Sequence, residues 1–109
     1  MSSESPVLDT LAAMTVASVD RNSLSPREYM LARLAALIAM DAPPLSYVAN
    51  AAAIEESGIT ADEIQGVMIA VAPVVGGPRV MSAGGHILRA LGIAVAVADA
   101  ELAAEASQP

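Results

Sequence analysis

The most apolar stretch of the chain, residues 63 to 79, constrains the fold more than any other. It reads EIQGVMIAVAPVVGGPR, with one proline inside the apolar run and a Gly-Gly-Pro sequence at its end. The apolar residues recur with the 3.6-residue period of a helix, and Pro73 is expected to kink this helix or begin its last turn. The glycines then stop the helix, and Pro78 suits the first turn of another. The sequence therefore predicts two buried helices joined by a sharp turn.

Capping residues predict where other helices begin. Ser25 with Glu28, and Thr60 with Glu63, have the spacing of a capping box, in which each side chain bonds a backbone N–H group at the helix start. Further helices are predicted from Pro6 to about Val19, from a cap at Asp41 to a glycine C′ residue at Gly58, from Pro78 to about Leu91, and from Ile93 to Ala106.

No segment has the two-residue period of a convincing strand. The predicted fold class is therefore all-α, a single compact domain of about five to six helices over residues 1–109. The ends of the chain, residues 1–5 and 104–109, are expected to be flexible.

The composition predicts a homo-oligomer. Hydrophobic residues make up 55% of the chain, whereas charged residues make up 16% and aromatic residues 2%. A chain of 109 residues offers a modest core, so apolar faces are expected to remain after folding. Contact with further copies of the same chain is the natural way to cover them.

Several function classes are disfavoured by residue counts. The net charge is −7 and lysine is absent, so no basic patch exists for nucleic acid. The absence of cysteine excludes thiol catalysis, and a single histidine makes a metal site improbable, so no metal and no cofactor are expected. The chain has neither the pattern of a signal peptide nor an apolar run long enough to span a membrane, and a cytoplasmic protein is expected.

Three polar side chains stand within apolar helices and are candidate site residues. Arg33 is the one charge inside the second helix, where it either extends to the surface or lines a polar pocket. Tyr47 and Asn50 are either core groups with hydrogen-bond partners or pocket groups.

A polar stripe follows one side of the fifth helix. Arg79, Ser82, His86 and Arg89 have the spacing that places residues on a single helix face. The stripe is either a solvated face or the wall of an anion-binding pocket. The nearby pair of glycines, residues 84 and 85, lowers helix propensity and is expected to permit close approach of another helix or a ligand.

These pieces, in their order, resemble the carboxymuconolactone decarboxylase family, which includes the alkylhydroperoxidase D-like proteins. Leu24-Ser25-Pro26 opens the long apolar helix, residues 58–64 (GITADEI) are similar to the family's Gly-hydrophobe-Thr-x-x-Glu-Ile step, and residues 71–83 (VAPVVGGPRVMSA) are similar to its apolar helix, turn and small-residue helix. The similarity covers residues 24 to 91. It implies an all-α fold that assembles as a trimer or hexamer.

The functional residues of that family are not carried over. Its peroxidase-type members have a glutamate, a Cys-x-x-Cys pair and a histidine, and its decarboxylase-type members also use the histidine. Counted forward, these positions hold Met30, Ala42, Leu45 and Ala49; counted back from Gly58, the last three become Pro43, Ser46 and Asn50. Without a cysteine the chain is not a thiol peroxidase.

Three functions follow as hypotheses. In the first, the chain is a non-peroxidase oligomer that binds a small ligand or a partner. In the second, it is a cofactor-independent lyase, decarboxylase or isomerase acting on a small carboxylate or lactone. Arg33 or Arg79 would then hold the carboxylate, with Asn50 and Ser82 as further ligand contacts, while Tyr47 or His86 would move the proton. In the third, the chain is an assembly subunit without a pocket.

Overall fold

The structure, a computed structural model, describes residues 5–107, and every element in that range is a helix. The helices are α1 (Pro6–Asp20), α2 (Pro26–Ala39), α3 (Pro44–Glu56), α4 (Ala61–Val75) and α5 (Gly77–Ala106). The predicted all-α fold class is confirmed. Of the predicted flexible ends, residues 1–4 and 108–109 lie outside the described residues, while residues 104–106 lie in α5.

Both predicted capping boxes are formed. The Ser25 hydroxyl accepts from the Glu28 backbone N–H at 3.1 Å, and the Glu28 carboxylate accepts from the Ser25 N–H at 3.0 Å. The backbone hydrogen bond from Ser25, aided by the Ser25 side chain, holds the pKa of Glu28 below its usual value. Thr60 and Glu63 repeat the arrangement at the start of α4. These caps fix where α2 and α4 begin, because each bonds N–H groups that a helix start leaves free.

The ends of α2 and α3 share one geometry, in which a left-handed residue closes the helix. Gly58 has φ 72° after α3, which confirms its predicted C′ position. Asp41 has φ 56° after α2, where its N–H bonds the Ile38 carbonyl and the next N–H, of Ala42, bonds the Leu37 carbonyl. These two bonds define a Schellman motif.

The prediction that Asp41 caps the start of α3 is therefore wrong. The N-cap of α3 is Pro43, with no side-chain hydrogen bond to the helix. Residues 41 and 42 belong to the Schellman motif that ends α2, and α3 begins only at Pro44. Asp41 therefore lies too far before α3 to act as its N-cap. Its side chain is thereby free for contacts with another helix.

Helices α2 and α5 share the centre of the packing, because they contact one another and each also contacts α3 and α4. Helix α2 supplies the largest fully buried side chains. Its residues Leu34 and Ile38 are fully buried and share one face, four residues apart. The buried core also contains Ala42, Tyr47, Ala83 and Ala90. Small residues on α5 allow the helices to approach closely, and a Cβ built on Gly84 would lie 3.1 Å from the Met68 methyl group of α4. The predicted close approach is found at Gly84, whereas Gly85 faces open space.

Helix α5 is continuous, so the separate sixth helix predicted from Ile93 is not formed. Gly92 lies within the 30 residues of α5 and does not interrupt it. A glycine inside a helix costs only about 1 kcal/mol relative to alanine, and the alanine-rich sequence after it favours the helix strongly. No proline or capping residue at that point offers a competing end.

Helix α1 and the second half of α5 extend away from the core. Helix α1 has no buried residue, and its contact with α2 includes a hydrogen bond of 3.0 Å between the hydroxyls of Ser18 and Tyr29. The radius of gyration is 16.0 Å, compared with about 13 Å for a compact domain of this length. Within residues 5–107, every helix falls short of the length or the hydrophobicity that a membrane span requires.

The two central glycines of α5 give a matched test of this packing. Gly85→Ala is expected to raise the free energy of unfolding by about 1 kcal/mol, because alanine favours the helix and its Cβ meets open space. Gly84→Ala is expected to gain less, because its Cβ presses on Met68. Urea denaturation at one protein concentration measures both values, and a larger gain for Gly84→Ala would contradict the packing of α4 on α5.

Candidate functional site

The Asp41 carboxylate, in the turn between α2 and α3, contacts residues of the polar stripe of α5. The Ser82 hydroxyl donates to Asp41 Oδ1 at 2.8 Å, and His86 Nδ1 lies 3.2 Å from the same oxygen. This second contact is not a hydrogen bond, since His86 Nδ1 is buried without a hydrogen-bond partner among the described residues. Arg79 donates from Nη1 to the Ala39 carbonyl at 3.1 Å. Three of the four stripe residues therefore face this turn, and Arg89 is exposed.

The backbone conformation of Asp41 indicates why its side chain matters. A left-handed residue with a Cβ costs roughly 1–2 kcal/mol, and glycine avoids this cost, as at Gly58. Aspartate tolerates the conformation better than most residues, yet it brings a charge that glycine lacks. Here the charge accepts the Ser82 hydrogen bond and faces His86, so the side chain joins the α2–α3 turn to α5.

Tyr47 of α3 supplies an unpaired polar group beside this turn. The side chain is only 4% exposed, and its hydroxyl has no hydrogen-bond partner within residues 5–107. Burial raises the pKa of the Tyr47 hydroxyl, and the negative charge of Asp41 raises it further. The hydroxyl therefore stays protonated well above neutral pH and is available to donate a hydrogen bond.

Tyr47 also forms part of the wall of an apolar cavity between α3 and α5, which we call the α3–α5 pocket. Its volume is about 230 Å³. The apolar part of its lining consists of Leu34, Val48, Ala51, Ile54, Ile59, Ile64, Ile87, Ala90 and Leu91, and the polar part of Tyr47 and Glu55. An apolar cavity with a few polar groups is the usual form of a small-molecule site.

A second cavity, of about 410 Å³, lies between the end of α1, the start of α2 and the end of α3. Its aromatic wall is Tyr29, whose hydroxyl already bonds Ser18 and accepts from Arg33 at 3.0 Å. It therefore lacks the unpaired, buried tyrosine hydroxyl that distinguishes the α3–α5 pocket.

Two of the predicted ligand-binding residues have partners of their own. Arg33 is half-buried, donates to the Tyr29 hydroxyl and lies 5.9 Å from the centre of the Tyr29 ring. Asn50 donates to the Ser46 carbonyl of its own helix at 2.7 Å. Neither residue lines the α3–α5 pocket, nor do Arg79, Ser82 or His86.

Sequence reasoning missed Asp41 and Glu55 as site residues. Asp41 was interpreted as a helix cap because it precedes two prolines, and no local pattern indicated a bond to α5, 41 residues away at Ser82. Glu55 stands in no local sequence pattern that indicates a site. It lines the pocket together with Val48 and Ala51 on one face of α3, and only tertiary packing determines that this face borders the cavity.

Comparison with protein families assigns the chain to a class. The model of the carboxymuconolactone decarboxylase family matches residues 6–90, which include α1 as well as the region of resemblance that begins at residue 24. The chain belongs to the carboxymuconolactone decarboxylase family. No curated protein and no solved structure matches it significantly.

The two tyrosines should titrate in a fixed order. The hydrogen bond from Ser18 lowers the pKa of Tyr29, aided by Arg33 and opposed by burial, whereas burial and Asp41 raise the pKa of Tyr47. The chain has no tryptophan, so absorbance near 295 nm reports only these two residues. We expect Tyr29 to ionise at lower pH than Tyr47, with Tyr29→Phe removing the earlier step.

The raised pKa of Tyr47 also predicts how the stability of the protein depends on pH. A raised folded-state pKa means that the native protein holds its proton more tightly, so the contribution of Tyr47 is present below the unfolded pKa and is lost as pH rises through the folded pKa. Stability should therefore fall above about pH 10, and less so in Tyr47→Phe. Equal slopes in the two proteins would contradict the burial of Tyr47.

Proposed function

We propose that this chain is a non-peroxidase member of its family that binds a small, mainly apolar ligand in the α3–α5 pocket. The observation that carries the proposal is that Tyr47, whose buried hydroxyl lacks a partner within the described residues, is also one of the residues that line an apolar cavity. A buried polar group without a hydrogen bond costs about 1–3 kcal/mol, so such groups commonly serve a function. A ligand with a hydrogen-bond acceptor would satisfy this group.

The chemistry of the chain supports binding rather than redox turnover. No cysteine is present, and the family's glutamate position holds Met30, which is buried in the core. The positions of its cysteine pair and histidine hold residues without a thiol or an imidazole in either alignment.

A pair of neighbouring alanines tests the pocket. Ala51 lines the cavity, while Ala52 is exposed and does not. Ala51→Leu is expected to fill the mouth of the pocket and abolish ligand-induced thermal stabilisation, whereas Ala52→Leu is expected to retain it. The screen uses small lactones, ketones and carboxylates with the full chain. Stabilisation by a ligand that is unchanged in Ala51→Leu would place the binding site elsewhere.

We propose further that the protein acts as a homo-oligomer, with a trimer or hexamer expected from the family resemblance. The accessible surface of the chain is 7660 Å², compared with about 5600 Å² for a folded monomer of this mass. The excess of roughly 2000 Å² exceeds the roughly 800 Å² that each partner buries in a standard interface. Helix α1 carries several exposed apolar side chains, including Leu8 at 65% and Leu11 at 51% exposure.

Opposite sides of α1 offer a test of this assembly. Leu11 and Ala13 are two residues apart, so they project about 200° from one another around the helix. Leu11→Glu is expected to weaken association, because it places a charge on the apolar face, and Ala13→Glu is expected to leave it unchanged. Light scattering during gel filtration measures the mass. A wild-type mass of 11.0 kDa at micromolar concentration would contradict the proposal.

A second candidate function is cofactor-independent proton transfer, as in a lyase or isomerase acting on a small carboxylate or lactone. One observation favours it: Asp41 lies 3.2 Å from His86 Nδ1. Catalytic hydrogen bonds often align only when substrate is bound, and a bond from Nδ1 to Asp41 would then hold the proton on Nδ1 and leave Nε2 to accept one. Product formation from a lactone panel, lost in His86→Gln and reduced in Asp41→Asn, is the expected result. The absence of turnover in the wild type would reject this candidate.

A further inference from the structure

The charges around the α3–α5 pocket restrict what it can hold. Among the described residues that line it, the one ionisable group besides the tyrosine is the carboxylate of Glu55. The carboxylate of Asp41 lies close enough to Tyr47 to act on its hydroxyl. Both of these side chains are acidic, and the chain as a whole carries a net charge of −7.

The arginines do not offset these charges at the pocket. Arg27 is ion-paired with Glu63 and donates to the Gly58 carbonyl, Arg33 donates to Tyr29, and Arg79 donates to the Ala39 carbonyl. The remaining arginines of the sequence, Arg21 and Arg89, are exposed and are not among the lining residues. A carboxylate ligand would therefore lose its hydration and face like charges without a cationic partner.

Besides Glu55, the polar residue among those that line the pocket is Tyr47, whose buried hydroxyl has no partner within the described residues. The Tyr47 hydroxyl keeps its proton because burial and Asp41 both oppose ionisation. A carbonyl oxygen of a ketone, ester or similar group accepts such a bond without bringing a charge. The aliphatic side chains that line the pocket, such as Val48, Ile54 and Ile87, suit the hydrocarbon chain of a ligand.

We propose that the α3–α5 pocket selects a neutral ligand with an apolar chain and one hydrogen-bond acceptor bound by Tyr47, and that it discriminates against carboxylates of the same size. This inference rests on the proposed ligand-binding function and specifies its ligand class. It differs from the hypothesis, made from the sequence, that Arg33 or Arg79 holds a carboxylate ligand, because neither arginine lines this pocket.

Three probes of equal chain length test the selection: 2-octanone, octanoate and octylammonium, titrated at pH 7.5 into the full-length ¹⁵N-labelled protein. Amide shifts in α3 and α5 give the dissociation constants. We expect 2-octanone to bind at least tenfold more tightly than octanoate. Tyr47→Phe should weaken 2-octanone binding roughly three- to tenfold, as loss of one hydrogen bond predicts. Circular dichroism checks that this variant is folded, and Ala51→Leu replaces it if it is not.

Adjacent glutamates provide a matched control for the charge argument. Glu55 lines the pocket, whereas Glu56 does not. Glu55→Gln is expected to improve octanoate binding severalfold with little effect on 2-octanone, because it removes a like charge. Glu56→Gln is expected to change neither.

The outcomes separate this inference from the function on which it rests. If none of the probes shifts amides of α3 and α5, the ligand-binding function itself fails. If octanoate binds as tightly as 2-octanone, the pocket is a ligand site and the selection is wrong. Tighter binding of octylammonium than of 2-octanone would also contradict the proposed selection for a neutral ligand. In that case the carboxylates of Glu55 and Asp41 would determine the preference by attracting a cation.

Discussion

The contact between Asp41 and helix α5 joins the α2–α3 turn to the core of the molecule. Asp41 closes α2 in a left-handed conformation, and its carboxylate accepts a hydrogen bond from Ser82 beside His86. Helix α3 begins three residues later and carries Tyr47 into the core. The position of the Tyr47 hydroxyl, and hence the wall of the α3–α5 pocket, depends on a turn that one charged side chain attaches to α5.

A second turn is held in a similar way at the other end of α3. Arg27, at the start of α2, donates to the Gly58 carbonyl and pairs with Glu63 of α4. The two ends of α3 are thus each bonded to another helix, one through an aspartate and one through an arginine. Because the core contains mostly small and aliphatic residues, these polar contacts add the directional constraints that apolar packing lacks.

Local sequence patterns predicted those features of the fold that local chemistry determines. The capping boxes at Ser25 and Thr60, the C′ residue Gly58 and the break at Gly76 each follow from a few neighbouring residues. The errors at Asp41 and Gly92 arose where two local interpretations competed and tertiary contacts or flanking propensity decided between them. The family was also evident from the sequence, whereas the pocket was not, since Tyr47, Glu55 and Ile87 converge only through packing.

The chain belongs to the family but has no cysteine. It therefore has the family's helical fold without the thiol groups that the family's peroxidases use. In the proposed function, the apolar cavity and a Tyr47 hydroxyl without a partner in the described residues would give that fold a different capacity, the recognition of a ligand by shape and a single hydrogen bond. Helix α1 and the far half of α5 lie outside this core, with apolar surfaces suited to contact between copies. Ligand recognition and assembly would then use different parts of the same small chain.

The most direct measurement is a crystal structure of the full chain grown with 2-octanone, because it reveals what satisfies the Tyr47 hydroxyl. The account predicts density for the ligand in the α3–α5 pocket, with its carbonyl oxygen about 2.6–3.0 Å from Tyr47 Oη. A pocket filled by a side chain of a neighbouring copy, or a Tyr47 hydroxyl bonded to a group of its own chain, would contradict it.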